Sequence, residues 1–313
     1  GDAHSVADNR ISALHRDRVG TLWVGTWFAG VSRVDLNSGG FSRIMRQPDA
    51  PGALSGNKVR AILDDGNGKL WLGMNSGLNH YDPLTGMARV YRHEPNNPNS
   101  LADAAAGALA SDRAGGLWIG GDSGLTRFDP ALGRFTRLRL GDPDSNKVRG
   151  MLTDRAGKIW VATRGGLHRV DPVSRHVSSW RHHASDPGSL ADNVVRPILE
   201  DRAGRFWVGT FDGLDLMDRA AGTFRHFRHN PADPSSLSHD EVHYLLEDSK
   251  GTVWVGTAGG LNRMRIDKTG KVSFQRYTVR DGMSDDAVAG ILEDSAGFLW
   301  VSTNTGISRL EPV

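Results

Sequence analysis

The chain has 313 residues, with 38 Lys and Arg against 36 Asp and Glu, and it contains no cysteine. The missing cysteines exclude disulfides, thiolate metal ligands and a cysteine nucleophile. The basic residues are scattered, so no nucleic-acid partner is predicted. The apolar runs are too short to cross a bilayer, and no signal-peptide pattern opens the sequence.

The dominant feature is an internal repeat of about 45 residues. Each copy has a Trp, an Asp six residues before it, and a Gly three residues after that Asp. The seven Asp–Trp pairs are Asp17–Trp23, Asp65–Trp71, Asp112–Trp118, Asp154–Trp160, Asp201–Trp207, Asp248–Trp254 and Asp294–Trp300. The copies cover roughly residues 8–53, 54–100, 101–144, 145–189, 190–236, 237–283 and 284–313.

One copy shows the expected local structure. The second has four short stretches rich in β-branched and aromatic residues, at Lys58–Asp64, Lys69–Met74, Leu78–Tyr81 and Ala88–Arg92. Tight turns separate them, and the first is Asp65–Gly68, with Asp and Gly at positions that suit a type I turn. The pattern predicts four antiparallel strands per copy and no helix.

Four short strands with a Trp and several glycines are typical of a propeller blade. We therefore predict an all-β fold, a single seven-bladed β-propeller over residues 1–313 with four-stranded antiparallel blades. Each Trp is expected to pack between adjacent blades, and the repeated Asp and Gly are expected to form turns. The seventh copy stops after its third strand, Ile307–Leu310. Its blade is therefore expected to have three strands, unless residues 1–7 or a segment outside this sequence add a fourth.

The repeat follows the pattern V-x-x-I-L-x-D-x-x-G-x-[LIF]-W-[VIL]-G-T-x-x-G-L-x-R-x-D, with good matches at Val194–Asp218 and Val242–Arg265. This pattern resembles the two-component-regulator propeller repeat. Some copies depart from it, at Met74, Gly121, Ala162 and Ser302.

The resemblance implies a periplasmic sensor region of a bacterial membrane protein. The rest of that protein would carry a transmembrane helix and a histidine kinase or diguanylate cyclase, and it could act as a homodimer. The ligand would be a small molecule, often an oligosaccharide. No cofactor, metal site or catalytic residue is predicted in this segment.

A variable column five residues before the repeated Asp is a candidate ligand site, next to a column that is apolar in every copy. Its members are Ser12, Arg60, Gly107, Arg149, Arg196, His243 and Ala289. Lys58 and Lys147 lie nearby in sequence. Because arginine forks bind carboxylates and phosphates bidentately, this column favours an acidic ligand. The alternative is a set of solvated rim charges paired with neighbouring acids.

The turns between second and third strands add aromatic residues, Trp27 and Phe28 in the first copy and Phe211 with Asp212 in the fifth. Arg164 and Asn75 occupy comparable turns. Exposed aromatic faces beside polar groups suit sugar rings. The alternative is that these rings pack under their own loops.

Histidines recur after the fourth strands, at His93, His182 and His229. We interpret them as loop structure and not as metal ligands, because the copies are a blade apart. The favoured function is a non-catalytic ligand-binding sensor domain. The alternatives are a protein-interaction platform and, less favoured, an antibiotic-inactivating lyase with a metal and His243 as base.

Overall fold

The computed structural model describes residues 7–34, 40–48 and 50–311, and within them 27 strands and one short 3-10 helix. The first three sheets consist of β1 Ile11–Arg16, β2 Leu22–Thr26, β3 Val31–Val34, β4 Phe41–Ile44; β5 Val59–Asp64, β6 Leu70–Met74, β7 Gly77–Asp82, β8 Met87–Tyr91; β9 Ala108–Ser111, β10 Leu117–Gly120, β11 Leu125–Asp129 and β12 Arg134–Leu138. The fourth and fifth sheets consist of β13 Val148–Thr153, β14 Ile159–Thr163, β15 Gly166–Val170, β16 Val177–Trp180; β17 Val195–Glu200, β18 Phe206–Thr210, β19 Gly213–Asp218 and β20 Thr223–Phe227. The last two consist of β21 Val242–Glu247, β22 Val253–Thr257, β23 Gly260–Ile266, β24 Val272–Tyr277; β25 Val288–Glu293, β26 Leu299–Thr303 and β27 Ile307–Leu310, with the 3-10 helix Val279–Asp281 between β24 and β25.

In every sheet the strands pair in chain order with antiparallel neighbours. The sheets are the blades of a seven-bladed β-propeller, as predicted, and the last blade has three strands in the described part of the chain. Of residues 1–7, which the sequence offered as a fourth strand for this blade, residues 1–6 lie outside the described residues. The chain divides into two units, residues 1–148 and 149–313.

Within each unit the first strands of successive blades contact each other. In the first unit β1 contacts β5 and β5 contacts β9; in the second, β17 contacts β21 and β21 contacts β25. The first strands of neighbouring blades therefore lie beside each other. This is the arrangement on which the predicted ligand column depends.

The repeated aspartate fixes both the first turn and the tryptophan. In the sixth blade Asp248 Oδ1 accepts the backbone N–H groups of Lys250 and Thr252 at 3.0 and 2.8 Å. Its Oδ2 accepts the indole Nε1–H of Trp254 at 2.8 Å. The same indole-to-carboxylate bond occurs at Trp23, Trp118, Trp160, Trp207 and Trp300, at distances from 2.7 to 3.1 Å. The turn role predicted for the aspartate is thus confirmed.

The tryptophan packs against the next blade. In the first unit Trp23 shares a core cluster with Leu70 and Tyr81 of the second blade. In the second unit Trp207 and Trp254 do the same with the sixth and seventh blades. The inter-blade packing predicted for the tryptophans is therefore confirmed within both units.

Two recurring bonds fix the loops that join blades. The Nδ1–H groups of His93, His182 and His229 donate to the carbonyls eight residues later, at 2.7–2.8 Å. In addition, a polar side chain on the third strand of a blade accepts a hydrogen bond from a backbone N–H near the end of the loop that leads into that blade. These pairs are Asn79 with Ser55, Thr126 with Ala102, Asp215 with Ala191, Asn262 with Ser238, and Ser308 with Ser284, at 2.8–2.9 Å. The histidines therefore have the structural role predicted for them.

Candidate ligand-binding site

Three arginines of the second unit, Arg149, Arg164 and Arg196, form the arginine cluster. Arg196 belongs to β17. Its guanidinium carbon lies 4.7 Å from the centre of the Phe211 ring, which belongs to the turn between β18 and β19. Burial lowers the pKa of Arg196; the carboxylate of Glu241 opposes this shift, and the positive charges of Arg149 and Arg164 add to it. The guanidinium stays protonated at any ordinary pH. Arg196 therefore lies within the electrostatic influence of Arg149, Arg164 and Glu241.

His243 of β21 borders this cluster. Its Nδ1–H donates to the carbonyl of Val288 at 3.1 Å, and its Nε2 lies 3.5 Å from the nearer carboxylate oxygen of Glu241. Burial, and next the charge of Arg196, lower the pKa of His243 below its ordinary value of 6.5. The imidazole is therefore neutral at pH 7, and it offers the cluster a polar group without a further charge.

A smaller group of cations and aromatic rings lies on the first unit. The Lys58 ammonium is 4.0 Å from the centre of the Trp27 ring. Burial, and then the charge of Arg60, lower the pKa of Lys58. The Arg60 guanidinium in turn donates to the side-chain oxygen of Asn75. Trp27 and its neighbour Phe28 remain 37% and 60% exposed, which argues against rings packed under their own loop.

Two predicted residues are engaged in exposed ion pairs. Asp212 accepts from the Nε and Nη2 groups of Arg228 at 3.0 and 2.8 Å. Lys147 pairs with Asp144 at 2.8 Å. For these two side chains the alternative interpretation, rim charges paired with neighbours, describes the structure.

The ten predicted residues thus divide evenly between the units. The first holds Trp27, Phe28, Lys58, Arg60 and Lys147, and the second holds Arg149, Arg196, Phe211, Asp212 and His243. The structure groups Arg149, Arg196, Phe211 and His243 in the second unit, and Trp27, Lys58 and Arg60 in the first.

Sequence reasoning missed Glu241 and Arg10. Arg10 lies 5.6 Å from the centre of the Phe28 ring. Both occupy the column seven residues before the repeated Asp, the column that supplied Lys58 and Lys147. Glu241 is the only acidic member of that column. Reading the whole column, including its acidic member, would have identified the carboxylate beside the arginines.

Two clefts lie apart from the arginine cluster. One, of about 450 Å³, is lined by residues of the fifth blade that include Arg205, Leu216 and Phe224. The other, of about 340 Å³, lies on the first unit and includes Met45 and Met87. Neither cleft shares a lining residue with the arginine cluster.

The described ranges contain no group of three His, Asp or Glu side chains placed to hold a metal ion. In those same ranges, no helix has the length and apolarity needed to cross a membrane.

The model of the two-component regulator propeller matches residues 5–28, 53–76, 189–212, 236–259 and 282–305. Each match runs through the first two strands of a blade and into the turn that follows them. These segments are two-component regulator propeller repeats. They fall on blades one, two, five, six and seven. Comparison with curated protein sequences gives no significant match.

Solved structures with similar folds include extracellular domains named for hybrid two-component systems. The extracellular domain named for the hybrid two-component system BT3049 of B. thetaiotaomicron is 23% identical, with a TM-score of 0.81 over 99% of this chain and 41% of that one. The corresponding domain of BT4673 is 20% identical, with a TM-score of 0.54 over 96% and 53%. The chain therefore spans about half or less of these relatives. Virginiamycin B lyase of Staphylococcus aureus is 14% identical, with a TM-score of 0.73 over 100% and 98%. At these identities the likeness is one of fold.

Proposed function

We propose that this propeller is a non-catalytic, extracytoplasmic ligand-binding domain of a bacterial two-component or related signalling protein, and that it binds an acidic small molecule or acidic saccharide at the arginine cluster. The two-component regulator propeller repeats support the signalling context. The observation that carries the ligand class is Arg196, which is partly buried on Phe211 beside two further arginines.

The geometry favours an acidic group over a neutral one. Guanidinium groups present paired N–H donors that match a carboxylate or phosphate. Arg196 lies near the positive charges of Arg149 and Arg164 and near the carboxylate of Glu241, which all act on its pKa. The Arg196 guanidinium carbon lies 4.7 Å from the centre of the Phe211 ring, and this contact limits the side-chain entropy lost on binding. A ligand carboxylate would therefore find donors that are already oriented.

A periplasmic location, a transmembrane and signalling partner region and a homodimer belong to the same proposal. The repeat type and the extracellular domains that share the fold support the location and the signalling context. A non-catalytic role is supported by the two-component regulator propeller repeats.

The test is isothermal calorimetry with oligogalacturonate, inorganic phosphate and a neutral malto-oligosaccharide. We expect an acidic probe to bind and the neutral sugar not to bind. Arg196→Ala should weaken acidic binding at least tenfold, which corresponds to about 1.4 kcal/mol. The matched control is Arg265→Ala, which removes an exposed arginine that bonds Gln275. Affinity should also fall as salt rises.

Two results would count against the proposal. One is equal binding of acidic and neutral probes by the wild-type protein and by Arg196→Ala. The other is binding of none of the three, which would favour a protein-docking face. Thermal unfolding of each variant without ligand checks that lost binding is not lost folding. A saturating probe at 100 times its Kd should stabilise the wild type by about 2.7 kcal/mol.

A further inference from the structure

The third-strand residue opposite the repeated Trp is basic in every blade except the fifth. Residues directly opposite each other in an antiparallel pair lie on one face of the sheet, so this residue lies beside the indole. The column consists of Arg33, His80, Arg127, Arg169, Leu216, Arg263 and Arg309. In the fifth blade Leu216 of β19 therefore replaces a basic side chain with an apolar one.

In most other blades this basic side chain covers the tryptophan or bonds the repeated aspartate. The guanidinium carbons of Arg169, Arg263 and Arg309 lie 5.7 to 5.9 Å from the centre of the opposite indole. The Nε–H of Arg127 donates to Oδ2 of Asp112 at 2.7 Å. The fifth blade has to make these contacts with a residue from another strand.

Arg205 makes both contacts in the fifth blade. It lies two residues before Trp207, its Nε–H donates to Oδ2 of Asp201 at 2.6 Å, and its guanidinium carbon is 5.9 Å from the centre of the indole. At the same position the other blades have Thr21, Lys69, Gly116, Lys158, Thr252 and Phe298. Because Arg205 replaces the arginine of the third strand, Leu216 is not needed for these contacts.

The cleft of about 450 Å³ on the fifth blade, here called the fifth-blade cleft, lies at this substitution. Leu216, Arg205 and Arg225 are among the residues that line it. Arg225 of β20 lies opposite Leu216, so Leu216 is one strand spacing, about 4.8 Å, from both β18 and β20. The volume of the cleft falls within the range of small-molecule sites, about 300–1,000 Å³.

The three arginines of the fifth-blade cleft differ in their partners. Arg205 bonds the repeated aspartate, and Arg219 pairs with Glu200 at 2.8 Å. Arg225 is exposed, and within the described ranges its guanidinium has no acidic partner; its carbon lies 4.9 Å from the centre of the Phe227 ring. Arg225 is therefore the cation of the cleft that can pair with an anion from solution.

We propose that the fifth-blade cleft binds a small organic monocarboxylate with an apolar body. The guanidinium of Arg225 offers the paired N–H donors that match a carboxylate, and Leu216 offers an apolar surface for the body. The acidic lining residue, Asp218, accepts two backbone N–H groups of its own turn at 2.9 and 3.1 Å. Its negative charge disfavours a second anionic group on the ligand.

This site is separate from the arginine cluster. The five residues of β18 lie between Arg205 and Phe211, the ring that contacts Arg196. The two sites are therefore at opposite ends of this strand, and a variant of one leaves the other in place.

The experiment follows para-fluorobenzoate by fluorine NMR as the full chain is added. We expect saturable line broadening with this probe and none with para-fluorobenzamide, which has the same ring without the charge. Arg225→Ala should weaken binding by at least about tenfold, the loss expected when a charge-assisted pair is removed. The matched control is Arg265→Ala in the sixth blade, and Arg196→Ala should also bind as the wild type does.

A second variant tests the cleft without changing the net charge. Arg205→Thr combined with Leu216→Arg gives the fifth blade the residues that the sixth has at these positions, Thr252 and Arg263. The new arginine should lie on the indole and fill the cleft, so binding should fall by at least about tenfold. Thermal unfolding checks that the double variant is folded.

Thiol protection locates the bound probe. Because the chain has no cysteine, Thr223→Cys introduces a single thiol at an exposed residue of the cleft lining. Saturating para-fluorobenzoate should slow its alkylation by iodoacetamide. Alkylation of Lys268→Cys, in an exposed turn of the sixth blade, should not change.

Three results would overturn the proposal. The first is that para-fluorobenzoate does not bind at millimolar concentration, or binds no better than the amide. The second is unchanged binding by both Arg225→Ala and the double variant. The third is binding that Arg196→Ala abolishes while Arg225→Ala retains it, which would assign the probe to the arginine cluster.

Discussion

At the scale of single residues, one carboxylate performs two tasks in most blades. Its Oδ1 closes the turn between first and second strands, and its Oδ2 satisfies a buried indole N–H. In the second blade the acceptor is used differently. His80 donates to Asp65 Oδ2 at 2.8 Å and stacks on Trp71 with ring centres 4.0 Å apart. Another donor can thus take the carboxylate oxygen while Trp71 stays buried.

We predict that Asp248→Ala lowers the free energy of unfolding by about 3 kcal/mol, because a buried indole N–H and two backbone N–H groups lose their acceptor. Asp267→Ala is the matched control. Asp267 closes an exposed turn with the same two backbone bonds, from Thr269 and Lys271 at 2.8 and 3.0 Å. It should cost about 1 kcal/mol. Denaturant unfolding measures both, and equal losses would show that the indole bond contributes nothing.

At the scale of strands, the position two residues after the repeated Trp holds a small residue in every copy. The glycine after the repeated Trp lets the second strand approach the next blade; a Cβ on Gly256 would lie 2.5 Å from Val288. The seventh blade has Ser302 at this position, paired with Gly290. In the fourth blade Ala162 takes the place. A Cβ on the facing Gly150 would lie 2.4 Å from the carbonyl oxygen of Arg196, so this glycine makes room for the next blade.

The polar position on the third strand gives a second contrast between blades. It holds neutral amides in the second and sixth blades, Asn79 and Asn262, and a fully buried carboxylate in the fifth, Asp215. Burial raises the pKa of Asp215 even though His226 bonds its Oδ1 at 2.6 Å. A carboxyl group with a raised folded pKa stabilises the fold below its unfolded pKa, and this contribution is lost as pH rises through the folded pKa.

Asp215→Asn should therefore stabilise the protein, by about 1 kcal/mol at pH 8. The gain should shrink as pH falls toward 4, where the wild-type carboxyl becomes protonated. Thermal or urea unfolding at several pH values measures this difference. The reverse change in the sixth blade, Asn262→Asp, should destabilise increasingly as pH rises. A pH-independent effect of Asp215→Asn would contradict the assignment.

At the scale of the whole molecule, the fold was predictable because the same strand and turn pattern occurs seven times in the sequence. The strands of the second copy were placed within one residue of the observed ends; Lys58–Asp64 became Val59–Asp64, and Ala88–Arg92 became Met87–Tyr91. A three-stranded last blade was one of the alternatives that the sequence left open, and the described residues hold three strands there. These features depend on local turns and alternating burial, which each copy encodes for itself.

The candidate site was less predictable, because it depends on side chains from different copies. The column of arginines pointed to Arg149 and Arg196, but the roles of Glu241 and Phe211 depend on which turn reaches which strand. Lys147 and Asp212 found local partners that their columns did not indicate. The partner of a long side chain depends on its neighbours in space, and the spacing of residues in the sequence does not reveal them.

The nine tryptophans give a test of the packing as a whole. Six of the seven repeat tryptophans are at most 5% exposed, whereas Trp27 is 37% exposed beneath the Lys58 ammonium. We expect iodide to quench a minor part of the fluorescence, since the ammonium attracts the anion to Trp27. Trp27→Phe should remove more of this quenching than Trp180→Phe. Equal quenching of all tryptophans would contradict the packing described.

The loops between blades begin and end at fixed bonds, the histidine-to-carbonyl contact and the polar acceptor of the third strand. Between those points the loop tips at 183–187 and 231–235 are exposed. Insertions or deletions at the tips leave both anchors in place, and the closure entropy of a longer loop grows only slowly with length. Descendants of such a repeat can therefore acquire new surface on these loops while the strand pairing of the blades stays unchanged.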